Sequence, residues 1–131
     1  MLRTLMKSKL HRVRVTGTNL HYVGSITIDE ELMEKAQLLE NELVQIVNIN
    51  TGSRFDTYVI RGPRDSGAIE LNGAAARLAE PGDLVIVMSY GIYDAEEVTQ
   101  HQPKVIVVDE KNRVLDFVDS EAKENARYSC E

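Results

Sequence analysis

Leu43-Val44-Gln45-Ile46-Val47-Asn48-Ile49, then the turn Asn50-Thr51-Gly52, then Phe55-Asp56-Thr57-Tyr58-Val59-Ile60-Arg61 is the stretch that decides the architecture. The first run is rich in β-branched residues and stops at a turn signal. The second resumes the same character, so the two are expected to pair as a hairpin. Working outward, Arg12-Val13-Arg14-Val15-Thr16 alternates polar and apolar as a half-buried strand does. Gly62-Pro63-Arg64-Asp65-Ser66-Gly67 reads as a loop, and Glu80-Pro81-Gly82-Asp83 as a turn before the apolar run Leu84 to Met88. Lys104 to Asp109 carries four consecutive β-branched residues, Val105-Ile106-Val107-Val108, and turns at Glu110-Lys111-Asn112-Arg113.

Two short helices interrupt the strands. The first is capped by Asp29, with Glu30 and Glu31 in the turn where the helix dipole favours acids. Ile28 and Met33 stand at staple positions, and Leu32, Ala36 and Leu39 follow at helical spacing. The second, Gly73 to Leu78, opens at Asn72. About seven strands with so little helix predict a single mainly β domain over 1–131, closed as a barrel to remove its edges. The polar tail Asp119–Glu131 is expected to fray or make a local contact.

Composition narrows the function classes. Hydrophobic residues make up 43% and charged residues 27%, the globular range. A net charge of −6 disfavours a nucleic-acid or anionic-membrane binder, although a small anionic substrate needs only a few placed cations. A single cysteine, Cys130, allows no intrachain disulfide and no cysteine metal cluster. The basic start Met1 to Lys7 has no apolar core for a signal peptide, and no stretch is long enough for a membrane helix. A soluble, cytoplasmic protein is expected.

Phosphate loops, the G-x-S-x-G elbow and paired metal-spaced histidines are all missing; His11 and His21 read as a surface or interface histidine apiece. The segment Leu20 to Asp29 remains, with Gly24-Ser25 at its centre. Alone, that dipeptide is an ordinary turn.

Its context is more specific. Leu10-His11-Arg12-Val13, Tyr22-Val23-Gly24-Ser25, Leu39-Glu40-Asn41-Glu42, Arg54-Phe55-Asp56-Thr57-Tyr58 and Asn72-Gly73-Ala74-Ala75-Ala76 together resemble the bacterial aspartate α-decarboxylases in order and spacing. The resemblance covers about Met1 to Tyr90 closely and has no matching motif after Leu115.

It implies a double-psi β-barrel, a homotetramer with active sites between subunits, and self-cleavage between Gly24 and Ser25 into chains 1–24 and 25–131. Ser25 would become a pyruvoyl group, with no metal and no pyridoxal phosphate. Glycine at 24 suits the acyl shift that starts cleavage, and the Thr57 hydroxyl would stabilise the oxyanion and border the substrate. The pyruvoyl group would hold L-aspartate as a Schiff base and release carbon dioxide and β-alanine, the precursor for pantothenate and coenzyme A. Tyr58 is implied as proton donor, a role open to a phenol, which is protonated at neutral pH. Arg54 and Lys9 are candidates to hold the substrate carboxylates, and Asn72, Gly73, Ala74 and Ala75 to border the substrate with backbone N–H groups.

Thr57 and Tyr58 are neighbours in one expected strand and should face opposite sides. Both can serve one site only if the strand bends or ends there, or if sites at subunit interfaces divide them, the easier resolution. Two other readings of the residues stay open: a non-enzymatic barrel with Gly24-Ser25 as a plain turn, and a hydrolase with Ser25 activated by His21.

Overall fold

The fold follows from one long first strand that is hydrogen-bonded to different neighbours along its length. In a computed structural model that describes residues 1–118, nine strands are present among the described residues. They are β1 (Arg3–Arg14), β2 (Gly17–Asn19), β3 (Ser25–Asp29), β4 (Leu43–Asn48), β5 (Arg54–Gly62), β6 (Ile69–Asn72), β7 (Leu84–Tyr93), β8 (Lys104–Val108) and β9 (Val114–Val118). They pair in the order β2-β6-β3-β5-β4-β7-β1-β8-β9. The tail Asp119–Glu131, with Cys130, lies outside the described residues.

Closure comes from the junction of β1 and β2. The Val15 N–H donates to the Asp83 carbonyl at 2.8 Å, and the Thr16 N–H donates to the Ile69 carbonyl at 2.8 Å. Because β1 and β2 are one continuous path, this joins the β7 side to the β6 side and shuts the ring. Interior positions alternate along the strands, so Val44 and Ile46 of β4, Val59 of β5 and Val85 and Val87 of β7 are buried together with Leu10, Ile26 and Ile28. Each such buried side chain contributes about 1.5–3 kcal/mol. The chain passes β6 going from β2 to β3, and passes β3 going from β5 to β6. These interlocked crossings, with β3 parallel to β5 and β2 parallel to β6, make the expected double-psi β-barrel.

The hairpin is borne out: β4 and β5 pair antiparallel. The strand expected at 12–16 is instead the end of the much longer β1, where a bulge gives Arg12 a φ of 58°. α1 (Glu30–Ala36) begins at Asp29 as expected, and the Asp29 carboxylate accepts the Glu31 N–H at 2.8 Å. The same carboxylate accepts the Asp65 N–H at 3.0 Å and the Gly67 N–H at 2.8 Å, tying the 62–67 loop to the helix start. Leu39 does not belong to the helix face. Gln37 turns left-handed at φ 57°, so Leu38 enters the core while Leu39 is 72% exposed. α2 (Ala95–Val98), unread in the sequence, is a single turn with a capping box between Asp94 and Glu97. Among the described residues no helix is long and apolar enough to cross a membrane.

Candidate active site

Ser25 opens β3, and the antiparallel register sets it directly across from Asn72 of β6. It is 1% exposed. A buried hydroxyl needs partners, and this one has two. It donates to the Val23 carbonyl at 2.8 Å and accepts from Asn72 Nδ2 at 3.0 Å. The same amide nitrogen donates to Thr27 Oγ1 at 3.0 Å. Thr27 lies two residues along β3 and so shares a side with Ser25, a relation strand alternation alone predicts. An open cleft lined by Asn19, Tyr22, Thr27, Arg61, Glu70 and Asn72 borders this cluster.

Residues 73–78 form a 3-10 helix rather than an α-helix, and the Asn72 side chain makes no capping bond to it. Its amide is committed to Ser25 and Thr27 instead. A second glycine is constrained beside the first. Gly24 lies outside the left-handed region and a Cβ there would meet nothing within 4 Å. Gly73 has φ +69°, and a Cβ on it would fall 2.7 Å from Gly24 Cα and 2.9 Å from Gly24 N. The missing side chain that lets the Gly24-Ser25 segment lie down is therefore that of Gly73. Ala74 is exposed beyond it and Ala75 half-buried.

Thr57 and Tyr58 divide as the strand pleat requires: Thr57 is 6% exposed and Tyr58 is 55% exposed. β3 runs parallel to β5, with Ile26 paired to Val59 and Thr27 to Ile60, so the residues just before Ile26 lie toward the Thr57–Tyr58 end of β5. Arg54, exposed on the same outer side of β5 as Tyr58, donates from Nη2 to Gln45 Oε1 at 3.2 Å. Tyr90 donates its hydroxyl to that same oxygen at 2.9 Å. Gln45 was not visible as a site residue in the sequence. Lys9, the second candidate cation, is buried. Its backbone position pairs with Met88, which also pairs with Gln45, so Lys9 and Gln45 flank Met88 in one row across the sheet.

One chain thus gathers Ser25, Thr27, Asn72 and Gly73, and holds Arg54, Gln45 and Tyr90 as a second group on the β4–β5–β7 outer face. His21 is exposed, and the described partners of the Ser25 hydroxyl are Val23 and Asn72, so the serine hydrolase reading has no base in place. Among the described residues no three His, Cys, Asp or Glu side chains are placed to hold a metal.

Fold and site together define a double-psi barrel protein built around a buried serine that heads a strand directly after a glycine. Known proteins place it further. The aspartate decarboxylase family matches residues 1–115. The aspartate 1-decarboxylase of Acetivibrio thermocellus is 61% identical over 92% of this chain and 96% of its own length. That of Heliobacterium modesticaldum is 62% identical over 88% of this chain and 87% of its own. That of Shouchella clausii is 58% identical over 97% of this chain and its full length. The chain belongs to the aspartate decarboxylase family.

Proposed function

We propose that the chain is a carboxy-lyase that cuts itself between Gly24 and Ser25 and then converts L-aspartate to β-alanine and carbon dioxide for pantothenate and coenzyme A synthesis. The observation that carries this reading is the buried Ser25 hydroxyl, held at two points directly after Gly24, in a chain of this family. Biosynthesis of this kind fits the cytoplasm.

Maturation begins when Ser25 Oγ bonds to the Gly24 carbonyl carbon and the peptide C–N bond breaks, the Ser25 nitrogen taking the hydroxyl proton. Thr57, inward-facing on the neighbouring strand, supplies a hydroxyl for the oxyanion on the way. Loss of the Ser25 α-proton expels the Gly24 carboxylate and leaves dehydroalanine. Its enamine tautomerises and water replaces the nitrogen, which departs as ammonia. The products are a 1–24 chain with an ordinary carboxyl end and a 25–131 chain that begins with pyruvoyl. The Asn72 amide and Thr27 hydroxyl beside residue 25 suit a polar keto group there.

Such a ketone, conjugated with an amide, supplies an electron sink for decarboxylation. The remaining work falls to side chains. Arg54 offers a planar fork for one substrate carboxylate and Lys9 a second cation. Tyr58 delivers the proton that replaces the lost carboxylate.

Tyr58 points out of the barrel while Thr57 points in, and Leu43, Tyr58, Tyr90 and Ile92 are large exposed apolar side chains on the β4–β5–β7 side. A homotetramer that packs this side against a second copy gives each active site residues from two chains. A fully active stable monomer contradicts the assembly. The activity itself is tested by incubating the protein with L-aspartate. β-Alanine should accumulate and be abolished by hydrazine or borohydride; no β-alanine, or an insensitive activity, overturns the reading.

A further inference from the structure

Thr27 is the part of the Ser25 cluster to which the family resemblance assigns no role. The hydroxyl proton of Ser25 is given to the Val23 carbonyl, so toward Asn72 the oxygen acts as acceptor. Asn72 must then present its NH2 group and not its carbonyl oxygen. One hydrogen of that group goes to Ser25 Oγ at 3.0 Å and the other to Thr27 Oγ1 at 3.0 Å. Thr27 is itself held in place. Its methyl group packs on Gly62, where a Cβ would come 3.0 Å from Thr27 Cγ2. Without Oγ1 the second amide hydrogen loses its acceptor in a part-buried position, and the amide is free to rotate.

We propose that Thr27 is a positioning residue for self-cleavage: it fixes the Asn72 amide so that its N–H stays on the Ser25 oxygen while that oxygen becomes the nucleophile. A donor on Oγ stabilises the negative charge that grows there as the proton leaves. This inference rests on the maturation reading above. Losing one such hydrogen bond is worth about 0.5–1.5 kcal/mol, which is about two- to tenfold in cleavage rate.

The test follows cleavage of the full chain over time by intact mass, for wild type, Thr27→Val, Thr27→Ala and Thr27→Ser. Thr27→Val keeps the shape and removes the oxygen; Thr27→Ala serves if the valine variant does not fold. Both should cleave about two- to tenfold more slowly than wild type at an unchanged circular dichroism spectrum. Thr27→Ser keeps the acceptor and should cleave within twofold of wild type, a rescue that a packing role would not give. Wild-type cleavage rates in the valine and alanine variants overturn the role of Thr27. So does a serine variant as slow as the valine variant. A wild-type chain that never cleaves overturns the maturation reading instead, so the two failures are distinguishable.

Discussion

Replacing Gly73 with alanine introduces a methyl group where the scissile segment lies. The left-handed backbone at φ +69° costs an alanine about 1–2 kcal/mol. The new Cβ would sit 2.7 Å from Gly24 Cα and 3.1 Å from the Tyr22 carbonyl oxygen, both backbone atoms that cannot swing aside. Overpacking of that kind costs about 1–3 kcal/mol more. Gly52→Ala isolates the first cost, since Gly52 has φ +80° and nothing within 4 Å of its Cβ position. At about 4 °C per kcal/mol for a domain this size, Gly73→Ala should lower Tm by about 8–20 °C and Gly52→Ala by about 4–8 °C. Because relief of the clash displaces Gly24, Gly73→Ala should also cleave at least about tenfold more slowly, while Gly52→Ala should not. Differential scanning calorimetry on unmatured chains and intact mass over time give the two numbers. Equal Tm losses and equal cleavage rates in the two variants would refute the clash.

Thr57→Val should block maturation, whereas Tyr58→Phe should cleave normally and lose about 100-fold or more in turnover per pyruvoyl group; intact mass and β-alanine release separate the two. Leu38→Ala should cost about 2–4 kcal/mol and Leu39→Ala under about 0.5 kcal/mol in urea unfolding, because only Leu38 is buried. Hydrogen bonds from the Asn48 amide and the Glu80 N–H hold the Asp83 carboxyl below its usual range. The unfolded chain therefore takes up this proton first, and the stabilisation present above about pH 4 is lost as pH falls through the folded value. Asp83→Asn should flatten the fall of Tm with acid in that window, and an unchanged slope would contradict the assignment.

The sequence carried the hairpin, the β7 core and β8 clearly, because continuous β-branched runs bounded by turn residues have few other solutions. β3 is also β-rich but is short and follows directly on Gly24, and the basic residues of Met1 to Lys7 mask the strand character of the first half of β1. Leu39 continues the helical spacing, yet Gln37 ends the helix two residues earlier by entering the left-handed region. Periodicity cannot see such a stop. Ser25, Thr57 and Asn72 were legible only through the resemblance. Thr27 was legible in principle, two residues along the same strand. The need for glycine at 73 was not, since it arises from Gly24, far away in sequence and adjacent only after β3 and β6 pair. The inward Thr57 and outward Tyr58 follow directly from strand alternation.

Intact mass spectrometry of the purified protein tests the central claim most directly. The account predicts a 1–24 fragment with an ordinary carboxyl terminus and a 25–131 fragment whose first residue has the mass of pyruvoyl rather than serine. A Ser25→Ala variant should remain a single chain. A wild-type protein recovered as one uncut 131-residue chain, or a Ser25→Ala variant that still divides at the same bond, would contradict it.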